Sequence, residues 1–465
     1  MFLVLAAVTA VTAQTPSVRQ QEPEAFVNRQ RQLDARLREE FDAEVGAAQR
    51  ALFDWGGWYS SYVFLFDDGV ESSRTLRRND LRFWSRVVLD KGAHEFYARA
   101  RLSLVDFNTG DAYDGNDDDV EGPNLERGYY RFDLAKAAGA YQGRALDYNL
   151  VVTAGRDLVE FGGGTVLATP LDHVAVRGVY RSFELTGLFG RTVGSTPDFD
   201  ISRTATRSHR EFAGAQLKYL GFERHEPYAY ALWQHDRNVE AIYQPFQKYA
   251  YDSAYAGIGS SGELSKGLRY GTEFVYEDAQ GFGAGQFLYR NDVSAWAVQC
   301  ALEYLFPGKN NARTSIEYVF GSGDADRFGS PTATALGNRG HFSDTTFIGF
   351  GYNDTGLAFA PGIENLHMWR AGASYYPWPD SAAWRRVELG TDWYLFHKHH
   401  RDAAVSDPTS DTRSGYLGWE MDYYVNCQLT ADLFWTTRWG IFFPGAAFSD
   451  TTTRTFFVIG LTWSF

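Results

Sequence analysis

Apolar and polar residues alternate along most of this chain. At its end, Phe457, Ile459, Leu461, Trp463 and Phe465 take every second place, with Gly460, Thr462 and Ser464 between them. A period of two makes a β-strand with one oily face. Upstream, Leu81, Phe83, Val87 and Leu89 alternate with Arg82, Trp84 and Arg86. Phe96, Ala98, Ala100, Leu102 and Leu104 alternate with Tyr97, Arg99, Arg101 and Ser103. Later, Val387, Leu389, Trp393 and Leu395 alternate with Arg386, Glu388, Asp392 and Tyr394. Leu417, Trp419, Met421 and Tyr423 do so with Gly418, Glu420, Asp422 and Tyr424. Leu429, Ala431, Leu433, Trp435 and Trp439 do so with Thr430, Asp432, Phe434, Thr436 and Arg438.

About eighteen segments carry this pattern. The first nine are predicted at 55–67, 75–89, 94–107, 124–136, 145–155, 172–180, 182–192, 209–220 and 226–236. The others are predicted at 251–263, 266–278, 293–306, 311–320, 365–377, 384–398, 414–424, 428–442 and 453–465. Many are long enough to cross a bilayer at a tilt. A soluble sheet hides its apolar face, whereas here that face would meet lipid and water would sit inside. An open sheet edge in lipid leaves backbone groups unsatisfied, so the strands must close. The fold expected is all-β, a transmembrane antiparallel β-barrel of about 18 strands, a size that leaves a water-filled channel. Short turns alternate with long runs at 108–123, 193–208, 321–364 and 399–413, which places short turns at the periplasm and long loops outside.

Before the strands the pattern differs. Residues 2–13 form a short apolar run ending Val11-Thr12-Ala13, which resembles a signal-peptidase site, though the basic segment that should precede it is missing. Residues 1–13 are therefore read as a signal peptide, truncated if the true start lies upstream. From Glu24 to Phe53, Phe26, Leu33, Leu37, Phe41, Val45 and Leu52 recur at helical spacings. Residues 14–54 are read as a periplasmic helical segment holding the only substantial helix, and 55–465 as the barrel. The helix could plug the mouth, meet a partner or pair with copies of itself; a solvated helix without a role fits the pattern equally well.

Composition sharpens this picture. Aromatics make up 16% of the chain and no continuous apolar run reaches the length of a spanning helix, which fits a barrel with an aromatic girdle. The net charge of −14 argues against nucleic acid as a partner. Only 7 of the 44 basic residues are lysines, and arginine is the side chain suited to planar contacts with carboxylates. Coding bias explains that excess equally well, so position decides. Cys300 and Cys427 fall on distant strands, which argues against a disulfide.

The strand phase gives candidate lumen residues: Arg82, Arg86, Arg99, Arg101, Arg127, Arg131, Arg156, Arg370, Arg386 and Arg438. An arginine facing lipid at mid-bilayer costs about 2–4 kcal/mol, so these should point inward and would select anions. The same faces carry the candidate lumen acids Glu317, Glu388, Asp392, Glu420, Asp422 and Asp432. Pairing of Arg with acid inside the lumen is the bland alternative, and the two coexist if arginines dominate early strands and acids late ones. Asp114-Gly115-Asn116-Asp117-Asp118-Asp119 offers oxygen ligands but lacks a bidentate Glu at calcium-loop spacing. His397, His399 and His400 read as an exposed cluster before they read as a metal site. No G-x-S-x-G or H-E-x-x-H occurs, so no catalytic residue, metal or cofactor is assigned.

Several short motifs, in order, resemble the alginate-export family of outer-membrane porins. They are N-L-E-R-G-Y-Y-R-F-D-L at 124–134, A-G-R-D at 154–157 followed by F-G-G-G-T-V-L, and S-G-D at 322–324. N-L-H at 365–367, G-W-E-M-D at 418–422 and F-F-P-G at 442–445 complete the set. The family usually carries a basic residue after the glycine turn, where Thr165-Val166 stands here. The resemblance implies an 18-stranded monomeric barrel in the bacterial outer membrane, passing an anionic polysaccharide along arginines. It also implies that Phe465 is read by the barrel-insertion machinery. The partners expected are outer-membrane lipid and a polysaccharide or small anionic solute, with oligomers through the amino-terminal helix as a variant. An uptake porin for sugars or acids, a barrel enzyme and an adhesin are the alternative readings.

Overall fold

Each period-two segment becomes a strand, and eighteen strands close into one antiparallel ring. A computed structural model describes residues 51–69, 73–112, 117–200, 207–238, 250–282, 290–327, 331–332 and 343–465. The first nine strands are β1 (Ala51–Asp67), β2 (Arg74–Leu89), β3 (His94–Phe107), β4 (Asp119–Asp133), β5 (Tyr148–Phe161), β6 (Leu167–Tyr180), β7 (Phe183–Thr192), β8 (Arg210–Tyr219) and β9 (His225–Asp236). The others are β10 (Asp252–Ser265), β11 (Leu268–Phe282), β12 (Arg290–Leu305), β13 (Arg313–Gly321), β14 (Leu366–Tyr375), β15 (Val387–Lys398), β16 (Tyr416–Gln428), β17 (Leu433–Pro444) and β18 (Arg454–Ser464). Each pairs with its sequence neighbours, and β1 pairs with β18 to close the ring.

The seam is built tightly. β1 and β18 run from Trp58↔Ser464 to Asp67↔Thr455. Beyond it, Gly57 N–H donates to the Phe465 carbonyl and Phe465 N–H to that of Gly57, both at 2.9 Å. A Cβ on Gly57 would lie 2.5 Å from the Arg82 carbonyl oxygen and 2.7 Å from the Phe465 ring, so only glycine admits the last residue here. Gly155 plays the same part between β4 and β5. Its φ is +137°, and a Cβ there would meet the Gly128 oxygen at 2.3 Å.

One face of each strand is oily and exposed, as at Phe83, Ile316, Trp369 and Trp439. In water such a surface would aggregate; in lipid it is the surface required. Trp55, Tyr148, Tyr180, Phe183, Trp384 and Trp463 ring the short-turn end as an aromatic girdle. The barrel lies in a membrane with this band in lipid.

Four sequence expectations need correction. The signal peptide and most of the helix fall on residues outside the described ones, but residues 51–54, assigned to the helical segment, already belong to β1. The strand predicted at 124–136 ends at Asp133, and α1 (Leu134–Gln142) follows. Its sequence is alanine-rich; Asp133 caps it by accepting from the Lys136 N–H, and Gly143 ends it at φ +62°. β5 and β6 reach 161 and start at 167, longer than predicted, because inward-facing Val159, Phe161, Leu167 and Leu171 are apolar too and erase the alternation. Finally, the interior is not uniformly wet. Inward loops pack a buried apolar cluster that includes Phe161, Val166, Leu171, Phe212, Phe347, Ile348, Phe359 and Phe442.

Candidate functional site

The lumen wall of β2–β4 is basic. The pleat sends Arg78, Arg82 and Arg86 of β2 inward, with Arg99 and Arg101 of β3 and Arg127 and Arg131 of β4 beside them. Glu126 sits among them because the β3–β4 register slips there, pairing Arg99 with Arg127 but Ala100 with Leu125. The extra residue turns its carboxylate inward. Arg82 donates Nε to Glu126 at 3.1 Å, Arg99 Nε lies 2.6 Å away, and Arg101 Nη1 3.7 Å. Arg82 and Arg99 are buried, and both lie over the Trp58 ring. Closer to the short-turn end, Glu95 accepts from Arg86 at 2.7 Å and from the Tyr129 hydroxyl at 3.0 Å, with Arg131 at 3.8 Å. Arg86 and Arg131 keep 35% and 42% of their side-chain surface open to the lumen. Seven arginines on this wall thus meet five carboxylates, namely Asp80, Glu95, Glu121, Glu126 and Asp157.

Across the ring the balance inverts. Arg370 of β14 contacts Asp392 at 2.9 Å, Asp354 at 3.1 Å and Glu317 at 3.4 Å. Glu388 accepts from Arg313 at 3.3 Å. Glu420 and Asp422 of β16 are buried beside each other. Arg438 of β17 lies 5.5 Å from the Tyr424 ring centre. The lumen is therefore polarised from side to side.

A strap, residues 343–365 of the loop between β13 and β14, runs from β11 and the β5–β6 turn to β16. Ile348 N–H donates to Glu277 of β11 at 2.8 Å. Phe350 N–H donates to the Val166 carbonyl at 2.8 Å and Tyr352 N–H to that of Gly164 at 3.0 Å. The Thr165-Val166 pair, which stands where the resembled family carries a basic residue, is thus a docking point for the strap. At the far side, Leu357 and Ala358 N–H donate to Glu420 Oε1 at 2.6 and 2.7 Å, and Phe359 N–H to Oε2 at 2.8 Å.

Glu364 sits at the strap's root, buried, and its Oε2 has no hydrogen-bond partner among the described residues. Burial pushes its carboxyl up to about 7, with Arg327 pulling it back in part. A raised acid favours the docked, protonated form. That stabilisation is full below its free value of about 4.3 and is lost as pH rises through about 7. Current noise from strap motion should therefore grow between pH 5 and 8, and Glu364→Gln should flatten the dependence. Single-channel recordings across that range check it.

Three sequence-predicted lumen residues lie elsewhere. Arg156 pairs with Gly128 and Asp172 in register, on the face of exposed Leu158 and Val174, so it points outward. It shares the parity of exposed Tyr148 and Leu158, and the β5–β6 register runs unbroken through it. Arg386 is exposed in the turn before β15 and Asp432 in the turn before β17, both past the strand ends. Sequence reasoning missed Glu126, Glu95 and the strap. Part of the Asp-rich loop lies outside the described residues. Among the described residues, no three His, Cys, Asp or Glu side chains are placed to hold a metal. Cys300 and Cys427 are both free.

Comparison with known proteins gives two results. A family model described as alginate export matches residues 195–458, more than half of the chain. Solved barrels of similar architecture include three from Pseudomonas aeruginosa. OccK5 (OpdH) has 10% identity and a TM-score of 0.53, over 89% of this chain and 97% of that one. OpdK, solved with vanillate, has 12% identity and a TM-score of 0.53, over 89% and 98%. OpdL has 14% identity and a TM-score of 0.51, over 89% and 98%. At these identities the likeness is one of fold. No curated protein matches the chain by sequence.

Proposed function

The chain belongs to the alginate-export family, and from that premise we propose that this outer-membrane channel conducts an anionic polysaccharide, alginate-like, along its arginine wall. The observation that carries this reading is the side-to-side polarity of the lumen. Carboxylates on a passing chain are drawn to β2–β4 and repelled by β13–β16. Arg86, Arg131, Arg127 and Arg101 supply planar contacts, while Glu95 and Glu126 hold them in place and moderate their pull. That moderation matters, because conduction needs binding weak and multiple enough for the polymer to leave. Arg82 and Arg99 act behind them on the field and on wall stiffness, while Arg370 and Arg438 stand across the ring on the acidic side. Passage is passive, and the strap sets the aperture. A single chain closes its own ring; a monomer, with Phe465 at the seam as the signal for insertion, belongs to the same reading.

A second reading, uptake of small carboxylates, is favoured by the strap, which narrows the lumen. Planar-bilayer recording separates the two. Polyuronate should block the current with dwell times that lengthen with chain length, and Arg86→Gln with Arg131→Gln should weaken the block about tenfold. No open channel, or cation selectivity indifferent to uronate, overturns the polyanion reading. Block by short acids alone favours the second.

A further inference from the structure

The outward face of β5–β9 carries two rungs. At the short-turn end the register aligns Tyr148, Tyr180, Phe183 and Tyr219 across four strands. Eight residues further along each of the same strands it aligns Arg156, Asp172, Arg191 and Glu211, then His235. Val174, Val176, Phe189, Leu185 and Leu217 fill the exposed surface between the rungs. Eight tilted strand residues span roughly 20 Å, so the charged rung sits near the edge of an apolar band about 25 Å tall. An arginine is tolerated there far better than at the midplane.

The charges on this rung are not equally satisfied. Arg156 grips Asp172 through Nε at 2.7 Å and Nη2 at 3.2 Å, and its Nη1 donates to the Leu125 carbonyl. Arg237, just past β9, holds Glu211 at 3.0 Å and leaves 60% of its side chain exposed. Arg191 is exposed and has no hydrogen-bond or ion-pair partner among the described residues. This arginine faces lipid directly above apolar Phe189. Its cross-strand neighbour Asp172 feels its charge but is gripped by Arg156, so the Arg191 N–H groups stay open to a further anion.

We propose that this rung is a shelf for a phosphorylated lipid of the outer leaflet. Phosphate oxygens take the planar N–H groups of Arg191 and Arg237, while acyl chains run down over Phe189, Val174 and Leu185. The rung continues the membrane interface already defined by the oily band, so the occupant is lipid. The long-loop end faces outside, so the leaflet is the outer one. This site is independent of the cargo in the lumen.

Native mass spectrometry of the purified barrel, titrated with diphosphorylated lipid A and with its dephosphorylated form, tests the shelf. The wild type should bind the phosphorylated lipid at least about tenfold more tightly. Arg191→Gln combined with Arg237→Gln should erase that preference, and Arg191→Lys should retain part of it. Retained uronate block and heat-modifiable migration show that the variants are folded. Equal binding of the two lipids by the wild type, or an unchanged preference in the double variant, overturns the proposal. Phosphatidylglycerol binding as tight as lipid A overturns the assignment to the outer leaflet.

Discussion

Replacing Glu420 with Ala should release the strap and raise single-channel conductance. Three successive backbone N–H groups, from Leu357, Ala358 and Phe359, end on this one buried carboxylate. Each hydrogen bond to a charged acceptor contributes about 1.5–3 kcal/mol, and part of that loss is recovered when freed N–H groups meet lumen water. A net change of about 3–4 kcal/mol moves the balance between docked and released strap by about 10²–10³. The Glu277 anchor remains, so the strap swings from one end. Larger and noisier openings are the expected record, with faster protease cleavage within 343–365. Glu420→Gln keeps one acceptor oxygen and should fall between. Wild-type conductance and noise in Glu420→Ala would show that the strap is held by its apolar contacts instead.

The second large effect concerns Glu126. It neutralises Arg82 and Arg99, which are almost fully buried, and reaches Arg101 as well. Removing one partner of a buried charge network leaves the others uncompensated, at a cost of about 3–5 kcal/mol. Glu126→Ala should therefore lower the barrel's urea midpoint in lipid vesicles, read by tryptophan fluorescence. Anion selectivity should increase, since the wall gains one net positive charge. Stability loss without a change in selectivity would mean that this cluster supports the wall but does not shape the field.

The barrel was legible because a lipid-facing strand must show a strict two-residue pattern, as Phe457 to Phe465 do. Closure followed from the chemistry of an edge in lipid, and the structure places Phe465 against Gly57 at that seam. Where both faces are apolar, as at Val159 and Phe161, periodicity had nothing to report. Arg82, Arg86, Arg99, Arg101, Arg127 and Arg131 fell on the lumen face as their phase required, and so did Arg370 and Arg438. Arg156 did not: it keeps the parity of exposed Tyr148 and Leu158 in an unbroken register, so strand phase alone puts it outside. Glu126 was hidden for a different reason. A bulge breaks the alternation on which inward and outward assignments rest. The strap lay beyond reach, since its contacts with Glu277, Val166 and Glu420 span long sequence separations and mostly use backbone groups.

The most direct measurement is a structure of the channel with a bound oligouronate. Its carboxylates are expected along β2–β4, against Arg86, Arg131 and Arg127, with the acidic wall bare. Density on β13–β16, or an empty lumen under saturating oligomer, would contradict conduction along the arginine wall.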